Sequence, residues 1–441
     1  MTNTQSRGND HLNIIKIAFP LILANITVPL LGLVDTAILG HMQHTYYLAG
    51  ASIGSLIITQ LIWVCGFIKM SVTGLSAQSK HADAQVKLKV LTQACYLGAI
   101  IGLTLCLLQW PILKAGLWFA QTASEVQQST TDYFMVRIWS APASLINLAL
   151  IGWFIGQQQT SLVLVLQVVV NLLNILFSLL FVYGFDWGIQ GVALGTVLAD
   201  YSLLLMSLMF AFKPFKQVDW LRSWFSVASL KVLLNLNSNI LLRNLALQIT
   251  LAFVTFKGAQ LGQTTAATNA ILMQFFALIA LGLDGIANAV EALVGEAKGK
   301  QRIDQINKQV TIGLLWSSIF AIAYSLLFTV FGQNIINLLT DQSELRQSTY
   351  AYLWLVVCLP VVSHWCFLFD GVFVGLTKGA AMKNSMLISA ALGFFPIWWV
   401  FQDLGNVALW YAMLGFLAVR GLTLGIWYYL QLNTRSAALL D

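Results

Sequence analysis

Charge is scarce in this chain. Only 9% of its 441 residues are Asp, Glu, Lys or Arg, against about 25% in a soluble domain. That excludes an ordinary water-soluble fold. Cysteine is equally uninformative: the five thiols (Cys65, Cys95, Cys106, Cys358, Cys366) are odd in number and scattered through apolar stretches. They form neither a disulfide framework nor a metal-ligand spacing. No Walker-type loop is present. GEAKGKQ at 295–301 lacks both the spacing and the terminal Ser/Thr of a phosphate-binding loop, so no nucleotide hydrolysis and no cofactor are expected. No cleavable signal is expected either, because polar MTNTQSRGND leads into an apolar run too long for a signal peptide. What is abundant is hydrophobic sequence, 58% of the residues.

It is arranged in twelve runs, at about 12–40, 46–72, 88–110, 128–156, 161–183, 188–212, 229–257, 264–295, 306–331, 347–376, 383–402 and 406–431. Each exceeds or approaches the ~20 residues needed to cross hydrocarbon as a helix. The runs are continuous rather than alternating, which favours helices over barrel strands. The spacing therefore predicts an all-α polytopic membrane protein. The basic residues orient it. Sixteen fall on one side: Arg7, Lys16, Lys80, Lys87, Lys89, Lys213, Lys216, Arg222, Lys231, Lys298, Lys300, Arg302, Lys308, Lys378, Lys383 and Arg435. Three, Lys114, Lys257 and Arg346, fall on the other. This bias predicts that both termini are cytoplasmic. Lys69, Arg137, Arg243 and Arg420 lie inside spans.

The two halves repeat. A shift of 218 residues carries Gly40 onto Gly258, Pro142 onto Pro360 and Gln78 onto Glu296; one further residue of shift carries Gly152 and Gly156 onto Gly371 and Gly375. The pattern predicts two pseudo-symmetric six-helix lobes, 12–212 and 229–431, joined by a basic cytoplasmic loop at 213–228. Two such halves related by an axis along the membrane normal are common in carriers, which place substrate at their interface.

Acids inside the spans are the candidate functional groups, since a carboxylate in hydrocarbon costs from a few to more than ten kcal/mol. Asp35 lies in the run Phe19–Leu39 with Pro20 and Pro29, two positions where the helix can bend. A bendable helix with one protonatable group suggests an ion-coupled carrier. The fifth run holds Asn171, Asn174 and Ser178, and the sixth Thr196 and Asp200. Residues four apart share a helix face, and such oxygens suit a hard cation or a protonated carboxyl. Ordinary polar packing is the alternative. In the second half, Asp284, Glu291 and Asp370 are candidates for a cation pathway or for ion pairs with Arg243 or Arg420. His41 and His44 read as solvated loop residues. Deep aromatics such as Trp63, Trp153 and Trp365 either line an apolar cavity or fill space between helices.

One enzyme-like string is present. GASIG at 50–54 matches G-x-S-x-G, a nucleophile pattern, and His364 lies deep in a span. A membrane serine protease is the remote alternative. Gly50 and Gly54 fit small-xxx-small helix packing better.

Pro20 and Asp35 in FPLILANITVPLLGLVDTAILGHM resemble the first helix of multidrug and toxic compound extrusion (MATE) transporters. NLLNILFSLLFVYG…GVALGTVLADY resembles that family's fifth and sixth helices, and LDGIANAVEALVGEAKG its eighth. DGVFVGLTKG at 370–379 is similar to the branch named after DNA-damage-inducible protein F (DinF). The likeness covers about 20–435. It implies two six-helix lobes in a V around a cavity open alternately to each face. It implies antiport of lipophilic, often cationic compounds against H+ or Na+ in a bacterial inner membrane, with lipids around it and no nucleic-acid partner; a monomer is expected. Asp35, Asn174 and Thr196 then form the N-lobe cation site. Where relatives often carry an acid, this chain has Ser178. A lone carboxyl suits one proton better than sodium, which leaves Na+ at Asp35, Asn174 and Thr196 as the secondary reading. Protonation of Asp35 would bend the first helix and release substrate. A flippase for lipid-linked molecules is the runner-up within the wider superfamily.

Overall fold

In lipid the backbone has no water to bond with, so an apolar run of this length satisfies its N–H and C=O groups only by coiling into a helix. The computed structural model describes residues 2–42, 44–215, 218 and 221–434, and among them it contains helices and no strand. The side chains of residues 2–9, 28–31, 33, 222, 227, 232 and 432–434 also fall outside it. Lys216 and Arg435 thus lie outside the described residues, as do the side chains of Arg7, Pro29 and Arg222.

α1 is one helix, Thr2–Gly40. Eleven further helices are long and apolar enough to cross a membrane: α2 (Thr45–Gln78), α3 (Ala84–Leu107), α4 (Ser124–Gly156), α5 (Thr160–Gly184), α6 (Gly188–Phe215), α7 (Ala228–Gln260), α8 (Gln263–Gly299), α9 (Ile303–Leu339), α10 (Leu353–Gly375), α11 (Gly379–Val400) and α12 (Asn406–Gln431). Each coincides with one of the expected runs, and the remaining run lies in α1. Four local irregularities follow the sequence. α2 is interrupted at Cys65–Gly66. α4 tightens to a 3-10 turn at Ile138–Ser140, ahead of Pro142, whose missing N–H is tolerated in the first turn of the next segment. α5 ends, and α11 is broken, in wider π turns at Leu180–Gly184 and Ser389–Phe394, the kind of insertion that bends a helix.

The chain divides into two compact units, Leu23–Leu234 and Met1–Ile22 with Asn235–Asp441. The division falls inside α1, two residues past Pro20. In the first part of α1, Ile22 packs on Gly285 of α8, Asp10 pairs with Lys308 and the His11 ring accepts from Trp316 Nε1 at 3.2 Å. Beyond Leu23 the same helix packs in the other unit, where Asn171 of α5 donates to Thr27 O at 3.2 Å.

The internal repeat is visible in how each unit packs. Without a hydrophobic force between helices in lipid, close association rests on small residues that let backbones approach. A Cβ on Gly152 would sit 2.5 Å from Lys69 O, and one on Gly156 2.6 Å from Thr73 O, which pins α4 to α2. In the other unit a Cβ on Gly371 would sit 2.3 Å from Ala287 O, and one on Gly375 2.5 Å from Glu291 O, which pins α10 to α8. Lys69 and Thr73 map onto Ala287 and Glu291 under the same 218-residue shift. The next step repeats as well: Lys80 Nζ donates to Gln158 Oε1 at 2.7 Å, and Lys298 Nζ to Leu376 O at 3.0 Å. Gly371→Leu is therefore expected to fail at this crossing. Overpacking costs about 1–3 kcal/mol in adaptable cores, and here the obstacle is backbone. Thermal unfolding in detergent should show a lowered midpoint or loss of folded protein; an unchanged midpoint would mean the crossing is looser than described.

Candidate functional site

α5 and α6 are held together by the glycines of GIQGVALG. A Cβ on Gly191 would meet Phe181, and one on Gly195 would meet Ser178 Oγ at 2.7 Å. This close crossing buries Ser178 and sets it beside Thr196, the next residue after Gly195. α1 joins them in register. Thr27 faces Asn171, and Ile38 and Leu39 share an apolar cluster with Val182, eleven residues further along α5. At 1.5 Å rise per residue, Asp35 then lies about 12 Å beyond Thr27, at the level of Ser178 and one turn past Asn174. The same cluster includes Tyr133 of α4 together with Val192 and Ala193 of α6, with Val34 and Val136 packed on it. Asp35, Ser178 and Thr196 thus come to one level of this unit, with Asn174 just below.

These groups have unused bonding capacity. Asp35 Oδ1, both polar atoms of Asn174 and the Ser178 hydroxyl are buried with no hydrogen-bond partner. Buried polar atoms are nearly always paired, so an exception asks for an explanation such as an unseen ion or a functional reservoir. Here three neighbouring residues are exceptions together. Thr196 is less available as a donor, since its hydroxyl bonds back to Val192 O at 3.1 Å, but its lone pairs remain.

Asp200 does not join them. One turn past Thr196, its Oδ2 accepts from Ser144 Oγ at 2.8 Å and lies 3.2 Å from Arg137 Nη1, while Asn147 Nδ2 donates to its backbone carbonyl at 2.9 Å. Its carboxylate is committed to α4, so it does not replace the charge that Ser178 leaves out. Arg137 and Tyr133 are neighbours of the site that sequence reasoning did not connect to it. The signal was available: an arginine inside a span needs an acid partner, and Tyr133 lies one turn from it on the same face.

In the other unit, Asp370 is paired with both Arg243 and Arg420. Arg243 also donates to Asn244 Oδ1 at 2.9 Å. Asp284, exposed on α8, acts electrostatically on both guanidinium groups. Glu291 is buried at the Gly375 crossing. For Asp370 the arrangement is that of a structural ion pair rather than an open cation path. Of the deep aromatics, Trp153 is buried and fills space between helices, whereas Trp63 is 60% exposed. Trp365 borders an apolar cavity of about 410 Å³ with Leu314, Phe369 and Ile426. Pro20 is half-buried in a continuous stretch of α1.

The enzyme-like string resolves into packing. Ser52 lies mid-helix and donates to Leu48 O at 2.7 Å. A Cβ on Gly50 would meet Ser129, and one on Gly54 would meet Tyr133, so these glycines seat α2 on α4. The His364 ring is bonded to Val361 O and Ser318 Oγ.

Comparison with known proteins agrees with this architecture. The family profile described as MatE matches residues 20–180 and 240–399. The chain is 39% identical over 416 residues to the DNA damage-inducible protein F of Escherichia coli, covering 93% of this chain and 90% of that one. It is 21% identical over 439 residues to the multidrug resistance protein NorM of Aliivibrio fischeri, covering 94% and 93%. Among solved structures, a multidrug resistance MATE family transporter in an outward-facing conformation superposes with a TM-score of 0.87 at 17% identity, over 99% of this chain and 98% of that one. Two six-helix halves, a membrane-spanning fold of this kind and a profile matched in both halves lead to one assignment: this chain is a multi-pass membrane protein of the MATE family of multidrug efflux transporters, and not an enzyme.

Proposed function

We propose that the protein sits in the bacterial inner membrane, both termini cytoplasmic, and exports small lipophilic, commonly cationic compounds in exchange for protons. The observation that carries this reading is the cluster of unpartnered buried atoms on Asp35, Asn174 and Ser178. A proton on Asp35 would satisfy the orphan carboxylate oxygen as a donor, and Asn174 and Ser178 supply acceptors and donors for either protonation state. Sodium needs several oxygens, ideally more than one anionic. With Ser178 neutral and Asp200 committed to Arg137, the site offers one free carboxylate, which favours H+ over Na+.

The proposed cycle needs no bound cofactor. Outside, Asp35 takes up a proton, α1 bends near Pro20 or Pro29, the N-lobe cavity contracts and substrate leaves. Inside, the proton departs and substrate rebinds. The handover of α1 between compact units at Ile22/Leu23 supports Pro20 as the nearer hinge. A lipid-linked substrate would want free basic groups, whereas three of the four cations inside spans, Arg137, Arg243 and Arg420, are paired with acids.

The test is transport in proteoliposomes with proton and sodium gradients imposed independently, using a lipophilic cation such as ethidium. Accumulation driven by the proton gradient alone is expected. Accumulation that follows sodium at fixed pH would replace the proton with sodium, and accumulation under neither gradient would remove the antiport reading.

A further inference from the structure

Two acids and one arginine share the middle of the Leu23–Leu234 unit. Asp35 on α1 and Asp200 on α6 flank α4, which carries Arg137. Val34 and Ile38, beside Asp35, pack in the same cluster as Tyr133 and Val136, beside Arg137. Tyr133 lies within electrostatic reach of both Arg137 and Asp35, and the charge of Arg137 acts on Asp35. Either acid is thus a candidate partner for the one guanidinium. In the structure Asp200 has it. Nη1 stands 3.2 Å from Asp200 Oδ2, but without hydrogen-bond alignment, so charge rather than a directed bond holds it there. Ser144 donates to the same oxygen and Asn147 to the Asp200 carbonyl, which fixes the acid rather than the arginine.

We propose that Asp200 is a positioning residue that parks Arg137, and thereby leaves Asp35 free to exchange with the transported cations. This rests on the reading of Asp35 given above. Charge counting shows why parking matters. With both acids ionised and one guanidinium, the cluster carries one surplus negative charge, and it resides on Asp35 because Arg137 is held elsewhere. A proton or a lipophilic cation is attracted to that surplus. If Asp200 were neutral, Arg137 would have Asp35 as its remaining carboxylate, the surplus would vanish, and a guanidinium would occupy the place of the coupling cation. If Arg137 were neutral as well, the single negative charge on Asp35 would return.

The expected result is that two losses compensate. In proteoliposomes, Asp200→Asn should reduce proton-gradient-driven transport about as far as Asp35→Asn does. The double variant Asp200→Asn/Arg137→Gln should recover it to within a few-fold of wild type. A purely structural ion pair behaves otherwise: both single variants would be impaired and the double variant would be no better. Wild-type transport by Asp200→Asn, or a double variant no more active than Asp200→Asn, would overturn the parking role. Should Asp200→Asn not be recovered folded, Arg137→Gln alone decides. With no guanidinium to park, transport should persist, and its loss would count against the proposal. The two readings fail separately: transport retained by Asp35→Asn removes the role of Asp35 itself, whereas transport lost in Asp35→Asn but retained in Asp200→Asn removes only the role of Asp200.

Discussion

Asp35→Asn is expected to abolish export against a gradient while leaving the protein folded. The substitution is nearly isosteric and fixes the group in a neutral form, so a cycle that requires this side chain to gain and lose charge stops at one stage. Folding should survive because the carboxylate contributes little to it: Oδ1 has no hydrogen-bond partner, and the guanidinium of the unit is on Asp200. Removing an unpaired buried charge is commonly neutral or stabilising. In proteoliposomes under an imposed proton gradient, ethidium accumulation should fall to the protein-free level. Detergent melting curves should match wild type or shift upward. Retained uphill transport would remove Asp35 from the coupling step. A collapsed melting temperature would make its role structural.

Asp370→Asn should behave in the opposite way, costing stability first. Asp370 is buried between Arg243 and Arg420, which are themselves among the most buried charged residues described. Removing one member of a buried ion network leaves the others uncompensated, at a cost of about 3–5 kcal/mol. Asp284 still acts on both guanidinium groups, so the lower part of that range is expected. The measurement is thermal unfolding of the purified variant, together with recovery of monodisperse protein from the membrane. A variant as stable as wild type would show that Asp370 does not neutralise the pair, and would return it to consideration as a transport carboxylate.

Much of this molecule was legible in its residues because membrane helices obey a simple rule: continuous apolar runs must coil. Eleven expected runs coincide with apolar helices, and the twelfth lies in α1. The repeat was legible for a similar reason. Gly152, Gly156, Gly371 and Gly375 sit where backbones nearly touch, a requirement that leaves no substitute residue. Partner choice among the charged groups was not legible. Asp35 and Asp200 look alike in the sequence, each an acid inside a span, and which one Arg137 takes depends on the rotation of α4 against α6. The same holds for Asp370, which takes one arginine from 127 residues earlier in the chain and a second, Arg420, from a later helix. The division of α1 at Ile22/Leu23 was only hinted at by Pro20. Proline marks where a helix is able to bend, not which neighbours lie on either side.

The exchange at Asp35 is tested most directly by proton release. Purified protein in weakly buffered detergent solution is mixed with tetraphenylphosphonium near neutral pH, and the pH change is followed with an indicator dye. If proton and lipophilic cation exclude each other at one carboxyl, wild type should release up to about one proton per chain on binding, by linkage, and Asp35→Asn, fixed in the neutral form, should bind the cation more weakly and release no proton. Binding by wild type without proton release, or equal release from Asp35→Asn, would contradict the exchange.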